Sequence, residues 1–186
     1  MQKLTSLILR YSLILASSLG SLYVFYLIFT PLTLYPAYLV LSLFYSVSLE
    51  KTTLIVNGTI INLIGACVAG AAYFLLLMLN LSTPNIRKRG LVLLFEMSSF
   101  LMLNLLRIII LSALFMADFS YFMQAHLISW HLLSGLFVFV IWIITIKMFK
   151  IKEIPFYSDF LFLKKLIKIK KKRRVKFYSK PKVRTD

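Results

Sequence analysis

GLVLLFEMSSFLMLNLLRIIILSALFM, residues 90–116, sets Glu96, Asn104 and Arg107 in an otherwise mostly apolar run. A helix crossing the hydrocarbon core of a bilayer needs about 20 such residues, and this segment exceeds that length. The rest of the chain is of the same kind: 60% of its 186 residues are hydrophobic and 15% aromatic, and mean hydropathy is +0.87. One soluble core of this size has no room for so much apolar surface. The solvent of this chain is lipid.

Working outward at the same window length gives four further spans, at residues 7–29, 32–49, 66–81 and 125–149. A turn at Thr30-Pro31 separates the first two, and Pro36 is placed to kink the second. Residues 51–64 are rich in β-branched side chains around Asn57-Gly58, a dipeptide favoured in two-residue hairpin loops. Unpaired backbone in hydrocarbon is too unfavourable to keep such a hairpin there. The expected fold is all-α: a polytopic transmembrane helix bundle of about five spans, with a short extracytoplasmic hairpin before the third. Lys3 and Arg10 precede an apolar run as in a secretory signal, but no small-x-small cleavage pattern follows, so that segment reads as a retained helix.

Net charge is +16, and 14 of the 22 Lys and Arg lie at or beyond Lys150. Residues 1–149 therefore read as one membrane-embedded domain and 150–186 as a basic cytoplasmic tail. A basic run can bind nucleic acid, but one directly behind a hydrophobic helix favours anionic lipid headgroups, so membrane rather than nucleic acid is the expected partner. The loop Arg87-Lys88-Arg89 is basic and residues 117–124 carry no positive charge, which orients the bundle by the positive-inside rule. Five spans then put the N-terminus outside, against the pull of Lys3 and Arg10.

Ionisable side chains inside spans are unfavourable by about 2.5–3.5 kcal/mol each and call for a partner or a function. Glu96, Arg107, His126 and His131 qualify. The single cysteine, Cys67, excludes an intrachain disulfide and a Cys-rich metal site; no metal ligand set, nucleotide loop or cofactor motif is present. The orientation from loop charges brings Cys67, Arg107 and His131 to one leaflet from three helices, with Asn104 on the helix face of Arg107. An imidazole that takes a thiol proton, beside a guanidinium that favours the thiolate or a developing oxyanion, is equipped for acyl transfer through a thioester. Each residue has a plainer reading too: Cys67 as a packing residue, Arg107 as an anchor reaching for the interface, both histidines as interfacial, Glu96 as a contact for the basic loop.

The order of these elements resembles the exosortase and archaeosortase family of membrane transpeptidases. Ile55-Val56-Asn57-Gly58-Thr59-Ile60-Ile61 precedes Gly65-Ala66-Cys67-Val68-Ala69-Gly70, similar to the family's hairpin and cysteine motif. A basic loop follows, then Asn104-Leu105-Leu106-Arg107-Ile108 and His131-Leu132-Leu133-Ser134-Gly135-Leu136-Phe137, similar to its Asn-x-x-Arg-Ile and His-x-x-x-Gly-x-Phe elements. Val68 replaces the usual small residue after the cysteine, and the N-terminal half is shorter; the short Ile/Leu/Lys-rich chain looks most like the small archaeal branch. The resemblance implies cleavage of C-terminal sorting signals on exported proteins at the outer membrane face and transfer to a lipid or similar acceptor. It implies Cys67 as nucleophile, His131 for proton transfer, Arg107 for charge stabilisation and Asn104 in support, without a cofactor. A non-catalytic membrane scaffold and a small transporter are the competing readings.

Overall fold

The computed structural model describes residues 2–19, 23–62 and 65–178; the last basic residues of the tail, Lys180, Lys182 and Arg184, lie outside them. The elements run α1 (Gln2–Leu19), α2 (Tyr23–Ser42), β1 (Val47–Glu50), β2 (Thr53–Val56), β3 (Thr59–Asn62), α3 (Gly65–Val68), α4 (Gly70–Ser82), α5 (Arg89–Met116), α6 (Phe122–Ile128), a π-helical turn (Ser129–Leu133), α7 (Ser134–Met148) and α8 (Tyr157–Tyr178). Among the described residues, three helical stretches are long and apolar enough to cross a membrane: α2, α5, and the continuous run Phe122–Met148 through the π-turn. At 1.5 Å per residue the 28 residues of α5 extend about 42 Å. The 13-residue α4 is apolar but short.

The first two expected spans divide elsewhere than the sequence suggests. Thr30-Pro31 makes no turn: both Pro31 and Pro36 sit inside α2. Each proline removes one intrahelical hydrogen bond, whereas opening the helix in an apolar setting would leave several groups unpaired. The described helices are instead α1, to Leu19, and α2, from Tyr23. The second expected span also ends early, because Val47–Glu50 leaves the helix and becomes an edge strand. The expected two-stranded hairpin is thus a three-stranded antiparallel sheet of order β1-β2-β3. Its loops are two residues long, with Lys51, Asn57 and Gly58 at positive φ. Leu54 and Val56, fully buried on one sheet face, pack with Leu34, Ala37 and Leu41 of α2 and Ile108 of α5. The sheet is a cap on one end of the bundle.

Aromatic rings join the middle. Phe29 of α2 stacks on Tyr73 of α4 at 3.6 Å between centroids, and Tyr73 meets Phe100 of α5 edge-on at 4.8 Å. Gly70 makes this approach possible, since a Cβ there would lie 2.9 Å from the Tyr26 ring of α2.

The end away from the sheet is held by polar groups. Arg10 donates to the Leu81 carbonyl at 3.0 Å and to Asp159 at 2.8 Å. Arg89 donates to the carbonyls of Asn80 and Thr83, and Asn80 donates to Glu96 at 3.1 Å. Glu96 therefore meets the basic loop through Asn80. Lys3, Ser6 and Arg10 share a cleft with Pro84, Asn85, Glu153 and Asp159, so the first half of α1 and the start of α8 occupy one end of the bundle. The basic segment is anchored here as well, since α8 begins on this ion pair.

Arg10 and Asp159 are both about 95% buried, at 6% and 5% relative exposure. Breaking a buried pair by removing one partner is destabilising by about 3–5 kcal/mol, while replacing both with apolar groups is often neutral. Arg10→Met is therefore expected to lower the unfolding free energy in detergent by about 3 kcal/mol, and adding Asp159→Leu to restore most of it. Additive losses in that double-mutant cycle would show that the two side chains act separately.

Candidate active site

Cys67 sits in α3, a single turn between the sheet and α4. Such a turn cannot satisfy its own last carbonyls, and Ala69 ends it in the left-handed region at φ 58. Two side chains of α5 supply the missing donors. Asn104 Nδ2 donates to the Cys67 carbonyl at 3.0 Å and to the Val68 carbonyl at 3.5 Å. Arg107, one turn further along α5, donates through Nη2 to the same Cys67 carbonyl at 3.0 Å. A cation at the C-terminal end of a helical turn also complements its dipole. The i, i+3 spacing of Asn104 and Arg107 thus has a direct purpose: both reach one carbonyl.

The other side of the guanidinium reaches the long helical run Phe122–Met148. Nη1 donates to the Ser134 hydroxyl at 2.6 Å and to the Ser129 carbonyl at 3.5 Å. Ser129 begins the π-turn, whose wider winding interrupts the regular ladder; such turns recur at functional sites. Arg107 is 6% exposed, and its charge interacts with Cys67 and with Tyr73. One side chain therefore links α3, α5, the π-turn and α7.

A cavity of about 180 Å³ opens at this point. Cys67, Arg107 and His126 line it with Ser129, Trp130, Leu111, and Ile60 and Asn62 of β3. His126 is half-buried and stacks on Phe122 at 5.8 Å. The sequence-based histidine, His131, does not line the cavity. It is exposed, lies 4.6 Å from Trp130 between ring centroids, and holds Nδ1 3.0 Å from the Leu127 carbonyl. A carbonyl only accepts, so Nδ1 is the donor in that contact.

The structure brings Cys67, Arg107 and Asn104 together with His126, Ser129 and Ser134. A signal for His126 was available: His126, Ser129 and Trp130 are spaced i, i+3, i+4 and share a helix face, whereas five residues correspond to about 140° of helix rotation. No signal announced the π-turn. Among the described residues, no three or more His, Cys, Asp or Glu side chains converge to hold a metal. No family model matches this chain, and neither does any curated protein or solved structure.

Lysine carries a single compact charge and cannot reproduce a planar fork reaching α3 on one side and α7 on the other. Each hydrogen bond to a charged group contributes about 1.5–3 kcal/mol. Arg107→Lys is therefore expected to lower unfolding free energy in mixed micelles by about 2–3 kcal/mol, with Asn104→Leu smaller at about 1–1.5 kcal/mol. Wild-type stability for Arg107→Lys would mean that charge alone, and not the fork, holds α3.

Proposed function

We propose that the chain is a membrane-embedded thiol peptidase and transpeptidase, acting on exported proteins with C-terminal sorting signals in the manner of the exosortase and archaeosortase family that its motifs resemble. The carrying observation is the cavity lined by Cys67, Arg107 and His126. The Cys67 proton passes to an imidazole and the thiolate attacks the scissile carbonyl. Arg107 stabilises the oxyanion. As the C–N bond breaks, the leaving amine takes the proton back from the imidazolium, and a thioester remains on Cys67. A nucleophile on a membrane acceptor such as a lipid then attacks the thioester, regenerates the thiol and carries away the new C-terminus. His126 is the proton carrier favoured by its place in the cavity wall, ahead of His131.

The protein is read as a multi-pass protein of the cell membrane with four passes: α1 and α2 together, α4, α5, and the run from α6 through α7. The Cys67 end is extracytoplasmic. The end with Arg10, Arg89 and basic α8 is cytoplasmic, in contact with anionic headgroups. This reading places Lys3 and Arg10 on the side that positive charge prefers. Reporters fused before Met1 and after Asp186 are expected to score cytoplasmic together; opposite sides would restore an odd number of passes.

One observation favours a second reading, a non-catalytic scaffold: the hydrogen bonds of Arg107 go to the Cys67 and Ser129 carbonyls and the Ser134 hydroxyl, as a purely structural clamp would also arrange them. Processing of a tagged substrate separates the two. Cys67→Ala is expected to abolish loss of the substrate's C-terminal segment, and His126→Ala to slow it by about 10²-fold or more, the usual scale of acid–base catalysis. His131→Ala is expected to leave it within a few-fold. Undiminished processing by Cys67→Ala would establish the scaffold; a loss confined to His131→Ala would return the proton role to His131.

A further inference from the structure

The sheet leaves one edge open beside the thiol, and its register identifies the backbone groups along that edge. Asn57 and Gly58 both have positive φ, the geometry of a two-residue hairpin loop, in which the flanking Val56 and Thr59 exchange both backbone hydrogen bonds. Such pairs alternate along an antiparallel ladder. Leu54 and Ile61 therefore bond to each other, while Ile60 and Asn62 sit in the non-bonded pairs with Ile55 and Thr53. The other side of β2 agrees, because the Asn57 N–H donates to the Ser46 carbonyl at 2.9 Å, away from β3. The N–H and C=O groups of Ile60 and Asn62 consequently point outward. The strand order places no described strand against them, and Ile60 is 67% exposed.

Ile60, Ile61 and Asn62 also line the Cys67 cavity, so the open edge leads directly to the nucleophile of the proposed reaction. We propose that β3 binds the substrate polypeptide as a fourth, extended strand, seating an apolar side chain in the cavity and carrying the scissile carbonyl to Cys67. This deepens the peptidase reading and rests on it. The edge offers alternating donors and acceptors, and the complement of that pattern is an extended peptide backbone. A lipid tail has no such groups, and a helix has already used its own. The cavity, well below the ~300–1,000 Å³ of sites for drug-sized ligands, has apolar walls from Leu111, Phe115 and Phe122. It fits one apolar side chain. Because strand side chains alternate between faces, recognition would fall on every second residue of the substrate.

The test uses the full-length Cys67→Ala protein in nanodiscs, which binds without reacting, and a mixture of capped seven-residue peptides built from Val, Ile, Leu and Thr. Amide hydrogen exchange at Ile60 and Asn62 is expected to slow at least tenfold on addition of the mixture. The same mixture N-methylated at alternate amides is expected to have no such effect. Ile60→Pro removes one outward N–H and leaves the β2–β3 ladder bonded, so it should weaken binding at least tenfold, while Ile60→Val should not. Unchanged exchange, or equal protection by the N-methylated mixture, would overturn the strand. In the active protein, processing that requires Cys67 but tolerates Ile60→Pro also overturns it and spares the peptidase. Protection by the mixture together with processing that survives Cys67→Ala keeps β3 as a peptide-binding edge and removes the peptidase.

Discussion

A single buried guanidinium fixes the arrangement on which everything at the Cys67 end depends. Arg107 satisfies the Cys67 carbonyl that the one-turn α3 cannot satisfy itself, and with its other nitrogen it holds Ser129 and Ser134 across the π-turn. A charge this deep is tolerable in a membrane protein only when its donors are matched. Here the match also determines where the thiol sits. Removing the side chain would free α3 and the start of α7 at once, so the residue's positional and chemical contributions are coupled through the same atoms.

The opposite end obeys the same constraint with different partners. Arg89 and Arg107 stand 18 positions apart on α5, which corresponds to about 27 Å of helix. Between Glu96 and Asn104 the contacts are aromatic and aliphatic, from Tyr73 and Phe100 to Val138 and Ile141. Polar matching is therefore confined to the two ends of the bundle, with the Arg10–Asp159 pair closing one and Arg107 closing the other. The start of α8 is held to α1 in consequence. The basic segment is part of the architecture at its first turn.

How much of this the sequence disclosed follows from which physical effect dominates each segment. Where burial in lipid dominates, hydropathy alone places the element: the expected span at 90–116 and α5 differ by one residue, and the span at 125–149 matches the run Phe122–Met148 closely. Where two effects compete, it misleads. Thr30-Pro31 has turn chemistry, but the apolar surroundings keep α2 helical; Val47–Leu49 is as apolar as the helix before it, but pairing with β2 claims it. Within the site, Asn104 and Arg107 were legible because their i, i+3 spacing survives in a regular helix. The cavity-lining place of His126 was not, because His126 and His131 have the same chemistry and differ only in the face they occupy. Arg10 has only the look of a flanking charge in the sequence, since its partner Asp159 lies 149 residues away.

In the proposed membrane topology, the sheet constrains the depth of the thiol more sharply than any helix does. A helix satisfies its own backbone and can stand at any depth, whereas an open strand edge facing hydrocarbon would leave donors and acceptors unpaired. The outward groups of Ile60 and Asn62 must therefore meet water or another strand. On the membrane topology proposed above, Cys67, five residues beyond Asn62 and packed against the same cluster as Leu54 and Val56, is thereby held at that boundary. Arg107 reaches it from within the bundle, and the cavity between them has mostly apolar walls. A carbonyl brought there would meet a thiol at the edge of water and a guanidinium largely shielded from it. Charge developing on its oxygen would then be stabilised by an interaction that solvent screens only weakly. The position of the sheet thus bears directly on the electrostatics of the site, although none of its side chains carries a charge into the cavity.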